Sequence, residues 1–285
     1  MSPSVGVVTV THNSEAVLAP FLDSVRAELE ASDLVDAWSL VVADNASAHA
    51  SALHDVAVER GALFLERHEN DGYGAGVSAA VEALPSDTDF VLISNPDVVL
   101  HAGSLDALVA CALRTPEGAS FGPRILDLEG AVYPSARNLP SLRSGVGHAV
   151  LGRAWPGNPW SRAYKADRLS DRERTAGWLS GACLLVRRDR WDEVGGFDHG
   201  FFMYFEDVDL GARLGRAGWK NVYVPSATVV HTGAHSTSQS SAAMERVHHQ
   251  SAYRYLSRRY TGWHLAPLRL VLRTGLALRS WWVTR

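Results

Sequence analysis

At 285 residues, with 46% hydrophobic and 20% charged composition, the chain has the make-up of a soluble globular protein and the length for one large α/β domain or two smaller ones. A formal net charge of -4 gives no global reason for nucleic-acid binding. No uninterrupted apolar run approaches the roughly 20 residues of a spanning helix, so no segment is expected to cross a membrane.

The N-terminal stretch "SVGVVTVTHN" is a β-branched run, too short and too poor in basic flanks for a secretory signal. It predicts a strand, with Ser14 placed to cap a helix running to about Arg26 or Glu30. "WSLVVADNAS" repeats the form, "GALFLER" reads as a third strand, "GYGAGVSAAVEAL" as a loop leading into a helix, and "DFVLISNPDVVL" as a fourth strand broken at Asn95-Pro96-Asp97. Strands alternating with helices over the first ~115 residues predict a mostly parallel sheet with helices on both faces. Such sheets bind ligands at the carboxyl ends of their strands, which is where Thr11, His12, Asn13, Asp44, Asn45, Asn95 and Asp97 fall. The "GYGAG" cluster resembles a dinucleotide-binding loop, but that fingerprint belongs in the first strand-to-helix turn. Here that turn is "THNSEA", without glycine.

Cys111 and Cys183 sit in apolar settings without ligand spacing and read as reduced core residues of a cytosolic protein. From about Arg137 to Ala176 periodicity is lost in favour of Pro, Gly, Trp and Arg, the pattern of long binding loops or lids. "GWLSGACLLVRRD" and "NVYVPSATVVH" predict further strands. Between them "FFMYFEDVDLGARLGRAGW" sets Glu206, Asp207 and Asp209 behind a block of aromatics and methionine. Carboxylates in a first helical turn cap free N–H groups, and they are also the groups that take protons. From Arg246 onward there are eight arginines and no acid. The last segment, with Leu268, Val271, Leu272, Leu276 and Leu278 among Arg269, Arg273 and Arg279, fits either a basic amphipathic interfacial helix or a helix packed on protein.

These segments, in this order, resemble glycosyltransferase family 2, whose members are inverting and adopt the GT-A fold: "VVTVTHN", "VVADNAS", "NDGYGAGVSAAV", "SNPDV", "GWLSGACLLVRRDRWDEVGGFD", "FFMYFEDVDLGARLGRAGW" and "VYVPSATVVH". Within the family, "VYPSARNLPSLRSGVGHAVLG", "GNPW" and "APLRLVLRTGLALRS" are similar to the rhamnosyltransferases of mycobacterial-type cell-wall synthesis. The resemblance implies transfer of L-rhamnose from dTDP-rhamnose to the 3-hydroxyl of GlcNAc-diphosphoryl-polyprenol, in the linker that carries arabinogalactan. It implies a glycosyltransferase domain over residues 1–245, with a nucleotide-binding half (1–115) and an acceptor-binding, catalytic half (116–245), followed by the basic segment 246–285. It also implies a cytoplasmic protein peripheral on the plasma membrane, with homo-oligomerisation left open.

The resemblance implies roles residue by residue. Asp97 and His231 match the metal ligands, with Mg²⁺ or Mn²⁺ stabilising charge on the leaving diphosphate. Asn95 stands where the family's Asp-X-Asp motif has its first acid. Asp44 matches the residue that meets the pyrimidine N3 edge, where a carboxylate can accept from thymine N3–H, and His12 lies where an aromatic stacks on the base. Thr11, Gly72, Gly74 and Gly76 line the nucleotide side, the glycines by letting backbone approach closely, and Ser78 departs from the family's Asn. Asp207 matches the general base. Glu206 holds a sugar hydroxyl or caps the helix, Trp178 stacks on the acceptor sugar, and Arg137 contacts its diphosphate. Competing readings are a transferase for another dTDP- or UDP-sugar such as galactofuranose, a non-catalytic membrane-associated glycan-binding module, and an interaction protein acting through its basic tail.

Overall fold

The computed structural model describes residues 2–141, 171–233 and 241–283. Strands β1 (Ser4–Thr11), β2 (Ala37–Asn45), β3 (Leu63–Arg67) and β4 (Phe90–Ser94) pair in parallel in the order β3-β2-β1-β4. The crossovers between them are α1 (Glu15–Ala31), α2 (Ala50–Glu59) and α3 (Tyr73–Glu82). Alternate side chains of each strand face opposite ways. Val5, Val7, Leu40 and Val42 therefore pack under Leu18, Phe21, Leu22 and Leu53 on one face. Val8, Val10, Val41 and Ala43 pack against Val77, Ala80 and Val81 on the other.

The expected break in the fourth strand is real. Beyond Asn95–Asp97 the chain leaves β4, and β5 (Val98–Leu100) forms the opposite edge of the sheet. Helix α4 (Ser104–Arg114) follows, its first N–H groups held by the buried Glu28, which accepts from Gly103 and Leu105 at 3.0 Å each. Strand β6 (Gly118–Leu126) is followed by short strands β7 (Val132–Tyr133), β8 (Ala136–Arg137), β9 (Arg174–Ala176) and β10 (Trp178–Leu179). Then come β11 (Cys183–Arg187), α5 (Arg188–Val194), α6 (Glu206–Arg216) and β12 (Lys220–His231).

The sheet is mixed rather than mostly parallel. β11 enters antiparallel to both β4 and β6, and β12 runs parallel to β6 but antiparallel to β5 and β9. A parallel neighbour needs a crossover that returns the chain to the same end, and β11 instead follows β10 by a short turn and starts where β4 ends, Cys183 opposite Ser94. The loop reading of 137–176 falls largely on residues 142–170, and the polar connection after β12 on 234–240, both outside the described residues.

Helix α7 (Ser241–Arg259) lies on the segment before α6, with Tyr255 joining Phe201, Val208 and Ala212 in a third apolar cluster. The boundary expected at residue 246 therefore falls inside a helix that packs on the body. Helix α8 (Ala266–Val283) turns Leu268, Leu272 and Leu276 partly inward, while Leu270, Val271, Leu278 and Trp281 are exposed, as is Trp263 before it. No helix among the described residues is long and apolar enough to cross a membrane.

Candidate active site

The loops that leave β1 and β2 are clasped together. Thr11 Oγ1 donates to Asp44 Oδ1 at 2.7 Å, and the Ser47 N–H donates to Asp44 Oδ2 at 2.9 Å. Asn13, in the left-handed region at φ 54°, donates its N–H to Ser47 Oγ and accepts from the Ala48 N–H. Asp44 is thus fully enclosed and braces the two loops, whereas the sequence suggested an open contact with a base edge or a cap on α2. The His12 ring is exposed, anchored with Nδ1 2.8 Å from the Asn45 carbonyl oxygen. Ser14 stands at the N-cap of α1, but it is its carbonyl that accepts from Val17 and Leu18, with no side-chain cap.

The glycines serve contacts inside the protein. Gly72, at φ 106°, would drive a Cβ to 2.2 Å from the Phe202 carbonyl oxygen, and a Cβ on Gly76 would meet Val10 at 2.8 Å and Asn45 Oδ1 at 3.0 Å. The close approach these glycines permit within the chain is that of α3 to the Phe202 backbone and to β1. Asn45 reinforces it by donating to the Gly72 carbonyl at 3.0 Å. The Ser78 hydroxyl turns back to the Gly74 carbonyl.

At the end of β4 two expected ligands meet. The β12–β5 pairing sets His231 opposite Val98, which brings His231 Nε2 to 3.1 Å from Asp97 Oδ1, with both side chains partly open to solvent. Asn95 Nδ2 lies 3.3 Å from the same imidazole nitrogen, and Asp97 Oδ2 accepts from the Gly233 N–H. Burial pushes the Asp97 carboxyl up, but hydrogen bonding to His231 and Gly233 outweighs it and leaves the acid below its ordinary range. Among the described residues no cluster of three His, Cys, Asp or Glu side chains could hold a metal. One carboxylate and one imidazole suit a divalent cation that takes its remaining ligands from a diphosphate and water.

The acids of α6 divide by environment. Asp209 is buried in an ion pair with Arg213 at 2.6 Å, pointing away from the others. Glu206 is buried with one carboxyl oxygen lacking a partner, so burial and then the neighbouring Asp207 push its pKa up to about 8. Asp207 is only partly buried. Its Oδ2 accepts from the Gly181 N–H at 3.0 Å and its Oδ1 from the Val208 N–H at 2.7 Å. Burial raises it, against these donors and the charge of Arg137. Such an aspartate is a stronger base than a free one while still reachable. The helix start itself is capped by no side chain. Phe205 occupies the cap position at φ 69°, directly after Tyr204 at φ 66°.

Two consecutive non-glycine residues in the left-handed region are strained, and α7 holds them there. Ser251 Oγ donates to the Met203 carbonyl at 2.8 Å, and the Phe205 ring lies against His248 and Tyr255. Beside Asp207, β8 and β10 pair Arg137 with Trp178, and the Arg137 guanidinium stands 5.6 Å from both the Trp178 and Tyr133 ring centres.

One short turn joins the two ends of the site. Gly181 holds Asp207, and the Ala182 carbonyl accepts from the Asn95 N–H at 2.9 Å. Sequence reasoning did not single out Gly181 or Tyr73, whose hydroxyl donates to the Gly181 carbonyl at 3.0 Å. Both lie in segments that carried the family resemblance, yet nothing in their spacing marks them.

Residues 3–250 match the model of a family described as "Glycosyltransferase like family 2". The chain is 46% identical, over 98% of its length and 92% of the relative's, to the N-acetylglucosaminyl-diphospho-decaprenol L-rhamnosyltransferase of Mycobacterium tuberculosis. It is 26% identical, over 89% of its length and 92% of the relative's, to Rhamnosyltransferase WbbL of Escherichia coli. In fold it resembles the mannosyltransferase PcManGT from Pyrobaculum calidifontis, solved with GDP-Man and Mn²⁺, at a TM-score of 0.63 and 17% identity over 100% of this chain and 72% of that one. GalNAc-T7 solved with UDP, GalNAc and Mn²⁺ gives a TM-score of 0.61 at 14% identity, covering 97% of this chain and 55% of that one. The mixed sheet is therefore of the GT-A type, and the chain belongs to glycosyltransferase family 2.

Proposed function

We propose that this glycosyltransferase moves an L-rhamnosyl group from dTDP-rhamnose to the 3-hydroxyl of GlcNAc carried on a polyprenyl diphosphate, inverting the anomeric centre. The 46% identity over nearly the whole chain to an enzyme named for that acceptor and sugar carries this reading. The donor lies across the carboxyl ends of β1, β2 and β4, with His12 exposed beside the base, Thr11 and Asp44 bracing the loops, Gly72 and Gly76 setting α3 against them, and Asn95 toward the diphosphate. Asp97 and His231 would hold Mg²⁺ or Mn²⁺, which supplies positive charge where the leaving diphosphate develops its negative charge.

Asp207 takes the proton of the acceptor hydroxyl as that oxygen bonds to the anomeric carbon; the bond from that carbon to the diphosphate oxygen breaks, and its electron pair leaves with dTDP. The Gly181 and Val208 N–H groups aim the carboxylate. Trp178 offers an aromatic face to the acceptor sugar and Arg137 a charge to its diphosphate, while Glu206, neutral over much of the physiological range, can donate to a sugar hydroxyl. The apolar face of α8, flanked by the exposed Arg273, suits the cytoplasmic surface of the membrane in which such an acceptor resides. Turnover of a GlcNAc-diphosphoryl lipid is expected with dTDP-rhamnose and not with UDP-galactofuranose, to vanish in EDTA and to return with Mn²⁺ or Mg²⁺. Transfer of galactofuranose in its place would overturn the donor assignment, and full activity in EDTA would remove the metal.

A further inference from the structure

The side chain that links the glycine-rich turn to the acids of α6 is Tyr73. Its backbone N–H donates to the Phe202 carbonyl at 2.9 Å, which is possible because Gly72 has no Cβ to strike that carbonyl. Its ring lies 6.1 Å from that of Phe197, between α3 and the chain that leads to α6. Its hydroxyl donates to the Gly181 carbonyl at 3.0 Å, and the N–H of the same glycine donates to Asp207 Oδ2 at 3.0 Å. Gly181 is thus gripped on both sides. It has no side chain to fix it otherwise, and a Cβ there would already stand 3.4 Å from that of Asp207.

We infer that Tyr73 is a positioning residue for the transfer step: it fixes the Gly181 peptide, and through it the carboxylate of Asp207, so that the glycine-rich turn serves the base as well as the donor. The inference rests on the reading of Asp207 as the base. Burial, with Glu206 and Asp207 nearby, keeps the phenol protonated well beyond its ordinary range, so it stays a donor wherever the enzyme works. The charged groups that face Asp207 are Glu206 on its own helix and Arg137 from β8, with the Tyr73 phenol from α3. None of these can replace the Gly181 N–H in geometry, because that donor fixes one oxygen and leaves the other to the Val208 N–H.

Tyr73→Phe keeps the ring and deletes only the hydroxyl. With dTDP-rhamnose and a soluble GlcNAc-diphosphoryl acceptor, kcat should fall roughly tenfold, the scale of one lost hydrogen bond expressed as a rate, while both KM values change less than about twofold. Because the Gly181 N–H favours the charged form of Asp207, loosening it should also move the acid limb of the kcat profile to higher pH. Adding Tyr73→Phe to Asp207→Asn should cost no further rate, since the two act as one unit. Wild-type kcat with an unmoved acid limb would overturn the inference, as would a raised donor KM at unchanged kcat, which would make Tyr73 a donor contact. Additive losses in the double variant would show that Tyr73 acts elsewhere. If Asp207→Asn alone turned over like the wild type, the base assignment would fail, an outcome distinct from failure of the link through Gly181.

Discussion

Asp207 and Glu206 are neighbours in sequence in different surroundings, and the role proposed for each makes a separate prediction. An asparagine at 207 can accept from only one of the Gly181 and Val208 N–H groups, because its amide nitrogen is itself a donor. Asp207→Asn should therefore lower stability by about 1–3 kcal/mol, whereas a residue that served only as a helix cap would tolerate the change. Its single-turnover rate should fall by about 10² to 10⁴ with donor affinity nearly preserved. A wild-type rate would return the residue to a purely structural role. Glu206 binds its proton more tightly in the folded chain, at about 8, than at its ordinary 4.5. Its contribution to stability is full below the lower value and is lost as pH rises through the upper one. Since a glutamine does not titrate, melting curves of Glu206→Gln should gain on wild type between about pH 5 and pH 8; a pH-independent difference would mean the glutamate is not held neutral. At this scale, while the roles proposed for Asp97, His231 and Asp207 come from the family resemblance, their positions at strand and helix ends were legible. Tyr73 and Gly181 were not, since a hydrogen bond spanning 108 positions leaves no local pattern.

Among the elements, α3 packs closely through its glycine-rich stretch. The space beside Gly76 is filled by Val10, a stiff β-branched side chain on β1, and by Asn45, itself bound to the Gly72 carbonyl. Gly76→Ala should therefore destabilise by about 1–3 kcal/mol through overpacking, and a saturating concentration of dTDP should not remove the loss. A variant of wild-type stability that binds dTDP poorly would instead show that the glycine faces the ligand. The parallel half of the sheet was legible because strands and helices alternate with short turns. The mixed half was not: β11 starts where β4 ends, Cys183 opposite Ser94, and so runs antiparallel, and β5 finds its partner only once β12 is in place. The aromatics before α6 announced a buried helix start, but not that two of them would adopt the left-handed conformation.

Taken whole, the molecule presents its apolar exposed face on its last helix. Leu268, Leu272 and Leu276 face inward, so deleting α8 would strip α7 as well as any membrane contact; substitutions on the outer face separate the two. Leu270→Ser combined with Leu278→Ser should reduce sedimentation with anionic vesicles by roughly tenfold or more, given the transfer energy of two leucines. Melting temperature and turnover of a short soluble acceptor should stay near wild type. If they fall together with binding, the face packs on protein. The grip of α7 on the strained Tyr204–Phe205 turn has a further consequence during synthesis. The ribosome releases Asp207, the proposed base, well before the helix that pins the turn ahead of it, so a nascent chain that has already built its parallel half still lacks a settled carboxylate at that position. The turn ahead of Asp207 therefore settles only once α7 has emerged and docked, after the strands and helices of the parallel half are already built.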